Sequence, residues 1–330
     1  MIKQLIKKNK FDFLKQLINS EYTIVAILLL LIIIASPIVP KFLTLQNFSN
    51  ILTRTTVSAM AAIGMTFVII SGGIDLSIGG MVILSAYIGV ETLVQNLGIN
   101  IYLAALIMLG LGAIMGMLNG ISVVVLRMPP FIATLAMMNI TRGLAHFIYQ
   151  ARTVFGLPKS WSIFGSGKLI GVPVPIIIFL IFFIIAYLIL KYTLFGRSIY
   201  AAGSNAKAAW LAGVNVKKIV FLAYVISGIT AGATAVILTS RLFSVVGSLG
   251  SGLELDVISA VVIGGTSLLG GEGTILGSLI GSLIIESVGN ILVLARISPF
   301  FTLVAKGLVL WLAVLIDMAR KGYVFKKSEE

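Results

Sequence analysis

YTIVAILLLLIIIASPIV, residues 22–39, decides the fold. No charged side chain interrupts it, and an apolar helix of that length crosses the hydrocarbon core of a bilayer. It is too long for the apolar stretch of a cleavable leader. No small-x-small cleavage site follows, so it reads as a retained anchor. Further apolar stretches follow at approximately 55–71, 79–95, 101–126, 131–149, 174–190, 219–239, 255–269, 274–295 and 298–317. The third and eighth stretches are rich in Gly and Ser and flank glycine loops. Of the 330 residues, 59% are hydrophobic and 11% charged. A soluble domain carries roughly 25% charged residues, so much of this surface must face lipid. The expected class is an all-α integral membrane protein with about ten transmembrane helices.

Charge placement orients the chain. With both termini cytoplasmic, fifteen Lys and Arg fall on inside segments and seven on outside segments, while Arg142 and Lys306 stay within spans. This bias accounts for the net charge of +13 without a nucleic-acid partner. The expected organisation has a basic amphipathic cytoplasmic segment at 1–21, a transmembrane domain at 22–317 and a cytoplasmic tail at 318–330. Within the domain, residues 191–218 form a cytoplasmic loop. The first segment interleaves Lys3, Lys7, Lys8, Lys10 and Lys15 with apolar residues. Such a pattern suits either a helix on the anionic leaflet or a solvated tail.

Several chemistries are excluded. There is no cysteine, hence no disulfide, thiol nucleophile or Cys-ligated metal. His146 is the one histidine, which rules out a multi-His metal cage. GSGK at Gly165–Lys168 imitates the end of a phosphate-binding loop, but Ser162 replaces the first glycine and Leu169 the final Ser/Thr. Gly271-Glu272-Gly273 fails the dinucleotide pattern because Leu276 takes the last glycine position. No paired carboxylate or Ser/His/Asp arrangement suggests hydrolysis.

Asn139, Arg142, His146 and Gln150 share one face of the fifth span. A buried Arg costs at least ~2.5–3.5 kcal/mol at membrane depth. Asn139, Arg142 and His146 therefore either line a polar translocation path, or Arg142 pairs with a buried acid such as Glu286 and locks the bundle. Lys306 reads as structural. Asp75, at the glycine break VIISGGIDLSIGG (68–80), reads as an N-cap of the third span or as a substrate contact. That break has a weak echo in VVIGGTSLLGG (261–271), and paired breaks can mark a transporter's pathway. Gly112, Gly116 and Gly120, with Gly228 and Gly232 and with Gly277 and Gly281, form small-residue stripes that suit tight packing within the bundle or a dimer interface. In the inside loop, Ala208, Ala209, Leu211 and Ala212 form a helix-compatible run stopped by Gly213, shaped as a knob for a soluble partner.

Four long strings together carry a resemblance. GMTFVIISGGIDLSIGG (64–80), FIATLAMMNITRGL (131–144), GRSIYAAGSNAKAAWLAGVNVKKI (196–219) and ELDVISAVVIGGTSLLGGEGTILGSLIG (254–281) resemble the ribose-type permeases of bacterial ABC importers, over about residues 45–317. The resemblance implies a ten-span inner-membrane subunit that works as a homodimer or beside a sister permease. It also implies cytoplasmic ATPase subunits that bind the ATP, an extracytoplasmic sugar-binding protein, a monosaccharide substrate and no cofactor on this chain. The inside loop is similar to the segment that couples such permeases to the ATPase, with Asn205, Ala208, Ala209 and Gly213 at the matching positions. The acidic residue usual near Ala206 is missing, and Lys207 stands beside it. A proton-coupled secondary transporter would also be polytopic. Such proteins usually carry intramembrane acid and His relays, for which Glu286 and Glu91 are the candidates here.

Overall fold

The computed structural model describes residues 21–320. The basic segment before Glu21 and the end of the tail lie outside the described residues. The helices are α1 (Glu21–Ile38), α2 (Leu45–Ile70), α3 (Ile78–Tyr87, widening to π geometry over Ile88–Asn96), α4 (Ile101–Val124), α5 (Pro130–Tyr149), α6 (Val174–Tyr192), α7 (Leu194–Ser204), α8 (Ala206–Leu211), α9 (Val216–Leu242), α10 (Leu253–Ile263), α11 (Ile275–Leu294) and α12 (Pro299–Arg320). Between α5 and α6, a 3₁₀ turn (Lys159–Phe164) leads into a two-stranded hairpin of β1 (Lys168–Leu169) and β2 (Val172–Pro173). The GSGK string enters this hairpin, and its Gly167 O accepts from Val174 N at the start of α6 at 2.8 Å, so a carbonyl and not a cradle of amides faces that helix end.

Local sequence sets the starts. Thr44, Asn100, Thr193, Asn205, Asn215 and Thr274 each accept a backbone N–H of the helix that follows, and Pro opens α5 and α6. Among the described residues, seven helices are long and apolar enough to cross a membrane: α2, α3 with its π extension, α4, α5, α6, α9 and α11. Each of the ten stretches read as spans contains a helix, but they are not equivalent. The apolar parts of α1 (Ile24–Ile38) and α12 (Phe300–Leu315) are shorter. The eighth stretch forms only the 11 residues of α10, roughly half of a bilayer crossing at about 1.5 Å per residue. The chain after it, from Gly264 to Thr274, is coil, and Gly264, Thr266 and Ser267 within it are buried. Non-helical backbone at membrane depth is tolerated where protein covers it.

α2 and α9 are buried over most of their length, while α5 and α6 stand at the periphery with much exposed apolar surface. The polar residues of α2 satisfy themselves locally. Thr55 donates to Ile51 O at 2.9 Å and Thr66 to Ala62 O at 2.6 Å. Thr66 also meets Ser278 of α11 at 2.7 Å. At the other end of these two helices, Asn47 and Asn290 exchange side-chain hydrogen bonds of 3.0 and 2.8 Å.

The glycine stripes pack within the chain. A Cβ on Gly112 would overlap the Gly228 carbonyl, one on Gly116 the Tyr224 carbonyl, and one on Gly232 the Met108 carbonyl. α4 and α9 therefore touch backbone to backbone, as small residues permit. Gly277 and Gly281 do the same for α11 against Gly264 and Ala260 of α10 and its following turn.

Candidate functional site

On α5, Asn139, His146 and Gln150 are exposed and Arg142 is partly buried. The loop from Phe243 to Gly252 lies along this face. His146 Nε2–H donates to Gly247 O at 2.9 Å. Arg142 Nη2 donates to Gly250 O at 3.3 Å and to both carboxylate oxygens of Glu254 at 3.4 Å. The expected partner Glu286 is thus replaced by Glu254. Glu286 stands on α11, which packs chiefly on α2 and α10, whereas Glu254 opens α10 directly across from α5. Lys306 on α12 meets Asp256 at 2.6 Å, which places it in a structural pair.

These two ion pairs share a logic that the sequence reading missed. Arg142 and Lys306 are the two cations inside the stretches read as spans from hydropathy. Glu254 and Asp256 are the two acids in the first turn of the half-helix α10, where the helix dipole favours negative charge. Each cation takes one acid, so α10 is pinned at its start by α5 and by α12. Two acids two residues apart at the head of an apolar run were the available signal. A third pair joins Arg152 to the buried Glu91 of the π segment, which ties up one of the acids a proton relay would need.

Asp75 is fully buried in the break between α2 and α3. Its Oδ1 accepts from Ser77 N at 3.0 Å and from the Ser77 hydroxyl at 2.5 Å, and its Oδ2 accepts from Ser227 of α9 at 2.7 Å. Asn119 of α4 donates to the Ser77 hydroxyl at 2.7 Å. The residue at the N-cap position of α3 is Ser77, with no side-chain cap bond, so Asp75 is not the N-cap; it accepts from Ser77 in the turn before the helix and ties the break to Asn119 of α4 and Ser227 of α9. It is enclosed by these partners, which leaves it no contact with a passing solute.

The two glycine breaks meet. Gly271 N donates to Ile70 O at 2.9 Å, and a Cβ on Gly270 would stand 3.0 Å from Gly72 Cα. The loop at residues 191–218 rests on this junction. Gly203 of α7 is pressed so closely on Ile70 O and Gly271 N that no side chain fits there. Tyr200 donates to Gly273 O at 2.7 Å; burial pushes its phenol up, which keeps it a donor. The loop folds as two helices, α7 and α8, where one short helix was expected. Asn205 caps α8 by accepting from Ala208 N at 2.9 Å, and Gly213 takes φ +84°, where a side chain would be strained. Ala208 and Ala212 are exposed, but Ala209 is buried against the chain itself. The exposed apolar pair is Trp210 and Leu211, at 67% and 71%. Of the expected knob residues, Ala208, Leu211 and Ala212 are exposed and Ala209 is not; Trp210 joins the exposed apolar surface in its place. Amphipathic phase within one turn was too short to fix which side faces out.

A bundle of membrane-crossing helices with paired buried breaks and a rigidly mounted end loop has the build of a permease. The chain belongs to the family described as branched-chain amino acid transport system / permease component, whose model matches residues 47–316. The ribose import permease protein RbsC of Bacillus subtilis (strain 168) is 42% identical over 297 residues, 89% of this chain and 92% of that protein. Its counterpart in Haemophilus influenzae is 41% identical over 294 residues, 88% of this chain and 90% of that protein. The galactofuranose transporter permease protein YtfT of Escherichia coli (strain K12) is 37% identical over 303 residues, 89% of this chain and 88% of that protein. No solved structure gives a significant match.

Proposed function

We propose that this chain is the translocating subunit of an ATP-driven importer that carries a monosaccharide across the bacterial inner membrane. The observation that carries the reading is the near full-length likeness to relatives named as ribose import permeases, which outweighs the amino acid in the family's description. The sugar arrives on an extracytoplasmic binding protein. ATP is bound and hydrolysed on a separate ATPase subunit, and this chain works beside a second copy of itself or a sister permease. The exposed polar side of α5, with Asn139 and His146, faces the shared path, and Arg142 braces it from behind through Glu254. Trp210 and Leu211, flanked by Asn205, Ala208 and Gly213, seat in the ATPase. Because Gly203 leaves no slack against Ile70 and Gly271, a push on α8 reaches both breaks through backbone contact and redistributes the bundle between two access states.

The test of substrate class is uptake by the reconstituted complex. Labelled ribose or a related monosaccharide is expected to accumulate and leucine is not; accumulation of leucine alone would turn the reading toward amino acids.

The proposed topology has ten crossings with α10 and its coil as the eighth, and both termini in the cytoplasm. It places α7 and α8 inside. Cysteine labelling tests it cleanly because the chain has no native cysteine. Lys207 is exposed, so a cysteine replacing it is expected to react with an impermeant maleimide in inverted vesicles. Labelling in intact cells would invert the orientation.

A further inference from the structure

Where α6 ends, a cavity of about 410 Å³ opens between α6, α7 and the start of α11, lined among others by Tyr187, Lys191, Arg197, Tyr200, Thr274 and Leu276. We propose that it is a binding site for the phosphate headgroup of an anionic phospholipid. The translocation and coupling reading above leaves this cavity unused, and the inference stands without it.

Three observations converge. The wall carries two cations, Lys191 and Arg197, and no carboxylate; Glu272, two residues before Thr274, is exposed and lies outside the lining. Thr274 caps α11, so the partial positive charge of that helix's first turn opens at the cavity, where anions are held. Finally, the Lys191 ammonium is preset. It donates to the Tyr187 hydroxyl at 2.6 Å and sits 5.1 and 5.5 Å from the ring centres of Tyr187 and Tyr192, which holds the head at the helix end.

The surroundings select a lipid over a free ion. Ile181, Ile184, Ile185 and Leu188 are exposed apolar residues that recur at three- and four-residue spacing and run up to Lys191 and Tyr192. They give acyl chains a track along α6 that ends at the two cations. Tyr side chains at this level suit the membrane–water interface, and basic pockets between helices at the membrane surface suit anionic headgroups. A headgroup held here bridges α6, α7 and the turn before α11. It thereby braces α7, the helix that leads into α8 and Trp210.

The test uses the purified full-length chain in mild detergent, with native mass spectrometry during titration by phosphatidylglycerol or phosphatidylcholine of matched chains. Phosphatidylglycerol is expected to be retained at least tenfold more strongly than phosphatidylcholine. Lys191→Gln with Arg197→Gln should weaken retention of phosphatidylglycerol roughly 25-fold, about fivefold per cation, and leave phosphatidylcholine unchanged. The swap Lys191→Arg with Arg197→Lys should keep most of the preference. Both positions are exposed, and equal thermal unfolding of the variants in phosphatidylcholine checks that they fold. Equal retention of both lipids, or no response to the glutamine pair, overturns the proposal. So does displacement of phosphatidylglycerol by millimolar inorganic phosphate, which would make this a free-anion site. Unchanged lipid retention with loss of the ATPase from the complex would also overturn it and give the surface to a protein partner.

Discussion

Arg142→Ala is expected to abolish accumulation of the subunit in the membrane. The Arg142 side chain is 25% exposed and that of Glu254 10%, so the guanidinium is the charge that lets the Glu254 carboxylate stay inside. Removing one partner of a buried pair costs about 3–5 kcal/mol, a large share of the roughly 5–15 kcal/mol by which folded proteins are stable. The same change releases Gly250 O and loosens the loop that leads into α10. A neutral pair tests the cause. Arg142→Met with Glu254→Gln removes both charges and is expected to restore much of the protein level. If Arg142→Ala instead accumulates normally and slows uptake, Arg142 belongs to the path itself. Normal level with normal uptake would contradict both roles. His146→Ala separates the two functions further. His146 is exposed and holds one carbonyl, so its loss should alter uptake more than protein level.

Leu211→Glu is expected to leave the subunit folded and to strip it of its ATPase. Leu211 is 71% exposed, so the carboxylate is solvated in the isolated chain. On docking it would enter an apolar seat, where an unpaired charge costs several kcal/mol, a loss of more than a hundredfold in affinity. Trp210→Ala should act in the same direction through lost apolar contact. Ala209→Glu is the contrasting control. Its side chain is 5% exposed toward its own bundle, so that variant should fail to accumulate. Full recovery of the ATPase with Leu211→Glu would place the coupling surface elsewhere.

Much of the architecture was legible because lipid imposes simple rules. Long apolar runs mark helices: each of the ten stretches read from hydropathy contains a helix, although the eighth is helical only as far as Ile263. Glycine at fourth positions marked close backbone contact, and the structure closes those stripes inside the chain. The sequence was weaker wherever contact depends on the third dimension. Nothing in linear order joins Arg142 to Glu254, 112 residues away, ahead of Glu286. The half-length of α10 was hidden because Leu268 and Leu269 carry the apolar run on into the glycine-rich coil that follows it. The two glycine breaks echoed each other only faintly as strings, yet Ile70 and Gly271 are hydrogen-bonded. For Asp75, the residue type pointed to a cap, and the partners Ser227 and Asn119 came only from packing. Ala209 was assigned to the outer face with Ala208, Leu211 and Ala212 because a six-residue helix has too little period to orient itself; those three are exposed, and Ala209 alone of them is buried.

The most direct measurement is uptake of labelled monosaccharide into proteoliposomes holding the full complex of this chain, its ATPase and its binding protein. ATP-driven import predicts uptake that requires ATP inside the ATPase compartment, stops with a hydrolysis-dead ATPase and is unaffected by a protonophore. Uptake by this chain without the ATPase, driven by an imposed proton gradient and abolished by the protonophore, would contradict it.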